Sequence, residues 1–198
     1  KDLKEFFQIY PWGQFPSTLT NKTKKLYIDL CKISEILLSW VEDTCPKNIR
    51  NLLSQPLRDM VENSPLNMLR VIHYPPIRTS DNPSAIRAAA HEDINLLTIL
   101  CAATEPGLQA KDLQGNWVDV PINPGMIAVN TGDMLQMATE GYFPSTTHRV
   151  INPPGDKHNT PRLSIPLFLH PHNYVQLSKI HTAQSYLKER LEEIGLAN

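Results

Sequence analysis

The amino-acid sequence predicts a mainly β-protein with flanking helices, built as an antiparallel sandwich or barrel of jelly-roll type. Beyond Leu66, short apolar segments alternate with turn signals at a spacing typical of such sheets. The chain also holds 17 prolines against 8 glycines, and the prolines are concentrated in the same part of the sequence. Because proline interrupts helices, this region is expected to consist of short strands and turns.

The strongest helical signal precedes the strands, at residues 20–43. Thr20 or Asn21 is expected to cap its start. Apolar residues recur there at three- and four-residue steps, which indicates a stripe packed against the sheet. The members of that stripe are Leu26, Leu30, Ile33, Leu37 and Trp40. A second, short helix is expected near residues 48–53.

The strands and turns follow in order along the chain. The predicted strands are 69–74, 85–90, 96–102, 108–111, 117–121, 126–130, 146–151 and 163–170. Residues 112–115 read as a hairpin turn and residues 123–125 as a second turn. A C-terminal helix is expected at about 178–194. These elements predict a helical N-terminal part (about 1–60), a jelly-roll core (about 66–175) and a closing helix.

Length and composition indicate one globular domain and exclude several function classes. The 198 residues carry a net charge of -1, which gives no basic surface for a nucleic acid. No apolar run reaches the length of a membrane span. An odd number of cysteines without metal-binding spacing favours reduced thiols and a cytoplasmic location. Because the chain begins with Lys1, an upstream N-terminal part is expected to be missing.

His91 and Asp93 stand between a run of alanines and an aliphatic segment. On an extended chain, residues two apart share a face, so one imidazole and one carboxylate project together. His148, in a β-branched segment far along the chain, is the candidate third ligand. Two histidines and one carboxylate on one side of a metal form the facial triad of non-haem Fe(II) oxygenases.

Arg162 and Ser164 also share the face of a predicted strand. A guanidinium fork and a hydroxyl, one strand beyond the metal, form a receptor for a carboxylate. An inward-facing Arg162 would otherwise be a buried, unpaired charge, so its position predicts an anionic partner.

The order His91-x-Asp93, then His148, then Arg162-x-Ser164, resembles the signature of the 2-oxoglutarate/Fe(II)-dependent oxygenases. The flanking segments 69–76, 130–135 and 145–150 are similar to those of the isopenicillin N synthase-like branch. The resemblance spans most of residues 1–175. It implies a double-stranded β-helix, or jelly roll.

The resemblance also implies roles for particular residues. His91, Asp93 and His148 would bind iron, and Arg162 and Ser164 would bind the distal carboxylate of 2-oxoglutarate. The hydroxyl of Tyr74 would assist them. Ile72 stands where plant members often carry an asparagine. The other histidines considered are interpreted as surface or structural residues: His158, His170, His172 and His181.

The implied activity is that of a 2-oxoglutarate-dependent dioxygenase. It would use O2 to oxidise, most commonly to hydroxylate, a small molecule, with release of succinate and CO2. Two alternatives remain open at this point. One is an Fe(II)-dependent oxidase of the same branch that does not use 2-oxoglutarate. The other is a non-catalytic, cupin-like metal-binding module.

Overall fold

The computed structural model describes residues 2–18, 20–78, 81–82, 84–121, 123–155 and 159–195. Within these residues the chain forms ten strands and five helices. In order they are β1 (Glu5–Ile9), α1 (Lys22–Thr44), α2 (Lys47–Arg50), α3 (Leu57–Val61), β2 (Met68–Tyr74), β3 (Ala88–His91), β4 (Leu97–Cys101), β5 (Leu108–Lys111), β6 (Trp117–Asp119), β7 (Ile127–Thr131), α4 (Asp133–Ala138), β8 (His148–Val150), β9 (Arg162–Ser164), β10 (Pro166–Leu169) and α5 (Ala183–Glu193).

The strands form two antiparallel sheets. The larger has the order β1-β2-β10-β4-β7, with β9 also paired to β2, and the smaller has the order β3-β8-β5-β6. Neighbouring strands are often distant in sequence, as in a jelly roll, where the chain crosses repeatedly between sheets. The predicted double-stranded β-helix is confirmed.

One face of the larger sheet packs against the helices and forms the main apolar core. Because side chains alternate along a strand, this face takes every second residue of β2, β4 and β10. Its buried members, together with those of α1 and α3, are Leu69, Leu97, Ile99, Leu167, Leu169, Leu30, Leu38, Leu57, Met60 and Val61.

The opposite face of the larger sheet, called here the interior face, points toward the smaller sheet. A second apolar cluster joins Ile72 and Tyr74 of β2 to Ala88 of β3 and Val150 of β8, so it bridges both sheets. The pairing of β2 with β9 sets Tyr74 opposite Arg162 and Ile72 opposite Ser164. The side chains of Arg162, Ser164 and Tyr74 therefore lie on the same interior face as this apolar cluster.

The face that α1 turns to the sheet differs from the predicted stripe. Leu30, Ser34 and Leu38 are buried, whereas Ile33 is 37% exposed and Trp40 is 62% exposed. The buried residues of α1 are therefore four positions apart, and the middle one, Ser34, is polar. Ser34 is tolerated there because its hydroxyl donates a 2.6 Å hydrogen bond to the Leu30 carbonyl.

The ends of two helices also differ from expectation. Asn21 occupies the N-cap position of α1, but its side chain makes no capping hydrogen bond. The C-terminal helix begins at Ala183 rather than near residue 178, because Thr182 and Ser185 form a reciprocal capping box there. Just before this helix, Gln176 and Thr182 pair in an isolated antiparallel β-bridge.

Other differences arise where pairing partners are remote. β1 was not predicted as a strand, and it forms by pairing along the whole of its length with β2. The segment predicted as one strand over 163–170 divides at Ile165 into β9 and β10. Helices α3 and α4 were also not predicted.

The two predicted turns are confirmed. Gly115 and Gly125, at their ends, have positive φ angles of 86° and 84° respectively.

Across the described residues, every helix falls short of the length and apolar character that a bilayer span requires.

We expect truncation in the main core to be costly. Leu97 is buried in that core, so Leu97→Ala should lower the free energy of unfolding by about 3 kcal/mol, through lost burial and a residual cavity. Urea denaturation measures this change. Leu113→Ala is the matched control, because Leu113 is 91% exposed and its truncation should alter stability by less than about 0.5 kcal/mol. Equal losses in the two variants would contradict the assigned core.

Candidate metal centre and carboxylate site

The pairing of β3 with β8 brings two predicted ligands together. His91 lies directly opposite His148 in the antiparallel register, and their ring centroids are 4.4 Å apart. Asp93 follows the end of β3 in an irregular segment, not on an extended strand as the spacing predicts. Even so, one ligand atom from each of these three residues lies within 4.8 Å of the others.

Backbone carbonyls orient both imidazole rings. His91 Nδ1 lies 2.8 Å from the Ala89 carbonyl oxygen, and His148 Nδ1 lies 2.9 Å from that of Thr146. A carbonyl oxygen only accepts hydrogen bonds, so each Nδ1 carries the proton and each Nε2 keeps its lone pair. Burial, and then the proximity of His148, lower the pKa of His91, which favours the neutral, metal-binding imidazole.

The carboxylate of Asp93 is fixed in the same way. Its Oδ2 accepts hydrogen bonds from Thr98 Oγ1 at 2.6 Å and from Asn130 Nδ2 at 3.0 Å. Its Oδ1 lies 3.8 Å from His148 Nε2 and 4.0 Å from His91 Nε2. One oxygen is therefore held by the protein, and the other faces the two imidazole lone pairs.

Close backbone packing supports the position of Asp93. The amide of Asp133 donates a 2.8 Å hydrogen bond to the Asp93 carbonyl oxygen. A Cβ at the preceding residue, Gly132, would lie 2.7 Å from that same oxygen and still closer to two oxygens of Asn95. Glycine is required at position 132 by this close approach.

The donor set fits a divalent transition metal such as Fe(II). Two neutral imidazole nitrogens and one carboxylate oxygen converge from one side, which is the 2-His-1-carboxylate pattern that leaves further coordination positions open. The predicted triad is thus brought together by the fold, and each ligand has a hydrogen-bonding partner that aims it.

Arg162 occupies the interior face of β9 and is 1% exposed. Its Nε donates a 2.9 Å hydrogen bond to the Glu105 carbonyl oxygen, while its buried Nη1 has no partner among the described residues. Ser164, on the same face, is also buried. A buried guanidinium with a free N–H group is suited to an anion, because leaving that group unpaired is costly.

Tyr74 and Ile72 stand opposite these two residues on β2. The ring of Tyr74 lies 5.2 Å from the guanidinium carbon of Arg162. Burial raises the pKa of the Tyr74 hydroxyl, and the charge of Arg162 opposes this shift, so the hydroxyl is a neutral donor. Ile72, at the position of the plant asparagine, contributes an apolar wall instead of an amide.

Three further residues of the site were not predicted. Thr98 and Asn130, which hold Asp93, are polar residues at interior positions of apolar strands. Arg87 is a second buried arginine; its Nη2 donates a 2.5 Å hydrogen bond to the Thr160 carbonyl oxygen. Burial is the largest cause that lowers the pKa of Arg162, and Tyr74 opposes it. The charge of Arg87 adds a smaller lowering of the same pKa. A polar residue inside an apolar segment was the available signal in each case.

The other histidines lie outside the triad. His172 hydrogen-bonds through Nε2 to the Glu62 carbonyl oxygen at 2.9 Å, which is a structural contact as predicted. His181 lies 3.7 Å from Glu189. His158 falls outside the described residues. His170 is half-buried, and its buried Nδ1 atom has no partner within the described part of the chain.

We predict that His91→Ala abolishes tight metal binding. Its affinity for Fe(II), titrated under nitrogen, should fall by more than about a hundredfold, because losing a ligand costs more than losing a group that orients one. His73→Ala is the control, since His73 is a surface residue paired with Glu5 and should leave the affinity unchanged. Unchanged binding in His91→Ala would rule out this metal centre.

We also predict that Thr98→Val weakens metal binding by about tenfold. The change keeps the shape of the side chain, but it removes the hydroxyl that donates to Asp93 and accepts from Asn95. Thr98→Ser retains that hydroxyl and should bind Fe(II) like the parent. The same titration compares them, and parental affinity in Thr98→Val would show that Thr98 does not position the carboxylate.

Comparison with known proteins places these residues in a family. A solved structure of a Shewanella oneidensis protein assigned as an oxygenase is 50% identical, with a TM-score of 0.91, over 99% of this chain and 73% of the other. A 2-oxoglutarate-dependent dioxygenase of Monascus ruber is 32% identical over 65% of this chain and 39% of its own length. Isopenicillin N synthase of a Flavobacterium species is 33% identical over 48% of this chain and 28% of its own.

The chain therefore spans less than half the length of these two curated relatives. A family model, described as the 2OG-Fe(II) oxygenase superfamily, matches residues 65–171. This match covers more than half of the chain and contains all the candidate site residues. Fe(II) and 2-oxoglutarate, the cofactor and cosubstrate implied by the sequence, are those in the family's description. The chain belongs to the 2OG-Fe(II) oxygenase superfamily.

Proposed function

We propose that this protein is a non-haem Fe(II)- and 2-oxoglutarate-dependent dioxygenase of the isopenicillin N synthase-like branch. It oxidises a small molecule, most commonly by hydroxylation, and releases succinate and CO2. The observation that carries the proposal is the presence, in one interior, of a convergent His-Asp-His set and a buried arginine with a free N–H group.

In this proposal His91, Asp93 and His148 hold the iron. Arg162 pairs with the distal carboxylate of 2-oxoglutarate, and the hydroxyls of Ser164 and Tyr74 complete that receptor. The charges support this assignment, because Arg162 has no carboxylate partner of its own among the described residues. An apolar cavity of about 100 Å³ borders Arg162 and leaves space beside it.

The bound iron would supply the activation of O2 and the oxidation of the substrate, and the protein supplies geometry. The carbonyls of Ala89 and Thr146 hold the protons on the two Nδ1 atoms, so that both Nε2 atoms remain ligands. The apolar cluster between the sheets limits the access of water to the interior, which strengthens the pairing of Arg162 with a carboxylate.

Domain organisation and location belong to the same proposal. Residues 1–198 would make one oxygenase domain, with a jelly-roll core preceded by helices. Cys31, Cys45 and Cys101 are free thiols, which supports a reducing, cytoplasmic location. The net charge of -1 supports a small-molecule substrate over a nucleic acid.

The proposal predicts that Arg162→Met loses 2-oxoglutarate but keeps iron. Anaerobic addition of Fe(II) and 2-oxoglutarate to the parent should produce a visible charge-transfer band, and later oxygenation should yield succinate. In Arg162→Met the apparent dissociation constant of 2-oxoglutarate should rise at least about tenfold, because a charge-assisted hydrogen bond is lost. Arg58→Met removes an exposed arginine and should behave as the parent.

The remaining outcomes separate the alternatives. Iron binding without the band or succinate, together with substrate-dependent O2 consumption, would indicate an oxidase that does not use 2-oxoglutarate. Iron binding without any O2 consumption across a panel of amino acids, small acids and peptides would indicate a non-catalytic metal-binding module. Either result overturns the dioxygenase proposal.

A further inference from the structure

A third arginine, Arg70, lies on the interior face of the larger sheet. It occupies the middle of β2, two residues from Ile72 and four from Tyr74, so all three side chains project to the same side. The adjacent strand β10 places Phe168 opposite Met68, on that same face. The third strand, β4, places Thr98 opposite Phe168. Arg70 and Thr98 therefore lie on the same face of the sheet, with β10 between their strands. Thr98 in turn donates a hydrogen bond to the Asp93 carboxylate.

Aromatic rings contact the guanidinium of Arg70, and within the described residues no carboxylate lies within 4.0 Å of it. Its guanidinium carbon lies 4.6 Å from the ring centre of Phe6 and 4.9 Å from that of Phe168. Its buried Nε has no hydrogen-bond partner among the described residues, and its Nη2 makes only a 3.9 Å contact with the sulfur of Met68. Rings contact a guanidinium through its flat face, so its in-plane N–H groups remain available to a ligand.

Tyr10 and Asp93 contribute to the electrostatic surroundings of Arg70. Burial lowers the pKa of the guanidinium, and the nearby Tyr10 and Asp93 oppose that shift. Burial also lowers the pKa of His170 to about 4, and the charge of Arg70 acts in the same direction while Asp93 acts against it. His170 is therefore neutral near Arg70.

A structural role does not explain this arrangement. Arg58 and Arg190, which are more exposed, lie within 4.0 Å of carboxylates, whereas Arg70 has none in reach among the described residues. A largely buried charge without a counter-ion destabilises the folded protein, and an apolar residue of similar size would fit the aromatic contacts. The charge is explained if an anion binds there.

We propose that Arg70 binds the carboxylate of the primary substrate, and that this substrate is a small monocarboxylic acid with an apolar body. This inference rests on the proposed function, since it assigns the substrate of the same site. The guanidinium would take the carboxylate through its in-plane N–H groups, while Phe6 and Phe168 contact the apolar part. The single charge of a guanidinium matches a monoanion better than a dianionic phosphate.

The test is equilibrium dialysis under nitrogen, with the protein loaded with Fe(II) and saturating 2-oxoglutarate. The probes are benzoate, phenylacetate, 3-phenylpropionate, 4-phenylbutyrate, hexanoate and octanoate, each compared with its own amide. At least one acid should bind the parent about tenfold more tightly than its amide, because only the acid forms a charge-assisted pair. Arg70→Met should reduce that ratio to about one, and Arg70→Lys should retain part of it.

Two controls separate binding from folding. Arg58→Met should keep the parental ratio of acid to amide. The thermal midpoint of Arg70→Met should equal or exceed that of the parent, because a buried unpaired charge is removed. A lowered midpoint together with an unchanged ratio would make Arg70 a structural residue and overturn the inference.

Other results overturn the inference while leaving the proposed function intact. These are a parent that shows the charge-transfer band but no preference for any acid, and acids that bind only by displacing 2-oxoglutarate and abolishing the band. Absence of the band in the parent would instead overturn the proposed function. The comparison of acid with amide would still test Arg70 in that case, because dialysis requires no turnover.

Discussion

The two-residue alternation of the larger sheet is the constraint on which the site depends. One face must be apolar to pack against α1 and α3, and the other must present polar groups toward the smaller sheet. A slip of one residue in β9 would move Arg162 and Ser164 out of the interior, and the same slip in β2 would move Tyr74. The main core therefore fixes the register of β2, and the pairing of β9 with β2 places Arg162 and Ser164.

The two faces of the larger sheet have different roles: one packs against the helices and stabilises the fold, and the other carries the side chains of the site. The cluster between sheet and helices contains most of the buried aliphatic side chains, whereas the cluster between the sheets is small and has Tyr74 among its members. Buried arginines with free N–H groups destabilise the interior in the absence of ligands. The large apolar core offsets that cost, so the interior can keep charged groups that a ligand will satisfy.

Precision at the metal centre comes from ordinary hydrogen bonds to the backbone and to strand residues. Carbonyl oxygens of Ala89 and Thr146 set the ring orientation and tautomer of the two histidines. Thr98 and Asn130 hold one oxygen of Asp93, which directs the other toward both rings. Gly132 permits the close backbone approach on which this geometry rests. A site built on paired strands can therefore be ordered before a metal binds.

The sequence by itself determined most strands, both turns, the long helix and the motifs His91-x-Asp93 and Arg162-x-Ser164, because these depend on local periodicity and turn chemistry. It did not determine which face of α1 is buried, that β1 is a strand, or that Thr98, Asn130 and Arg87 belong to the site. Those features arise from contacts between residues distant along the chain. Arg70 shows the difference most clearly: in the sequence it is one charge in an apolar segment, and only the pairing of β2 with both β1 and β10 sets it between the rings of Phe6 and Phe168.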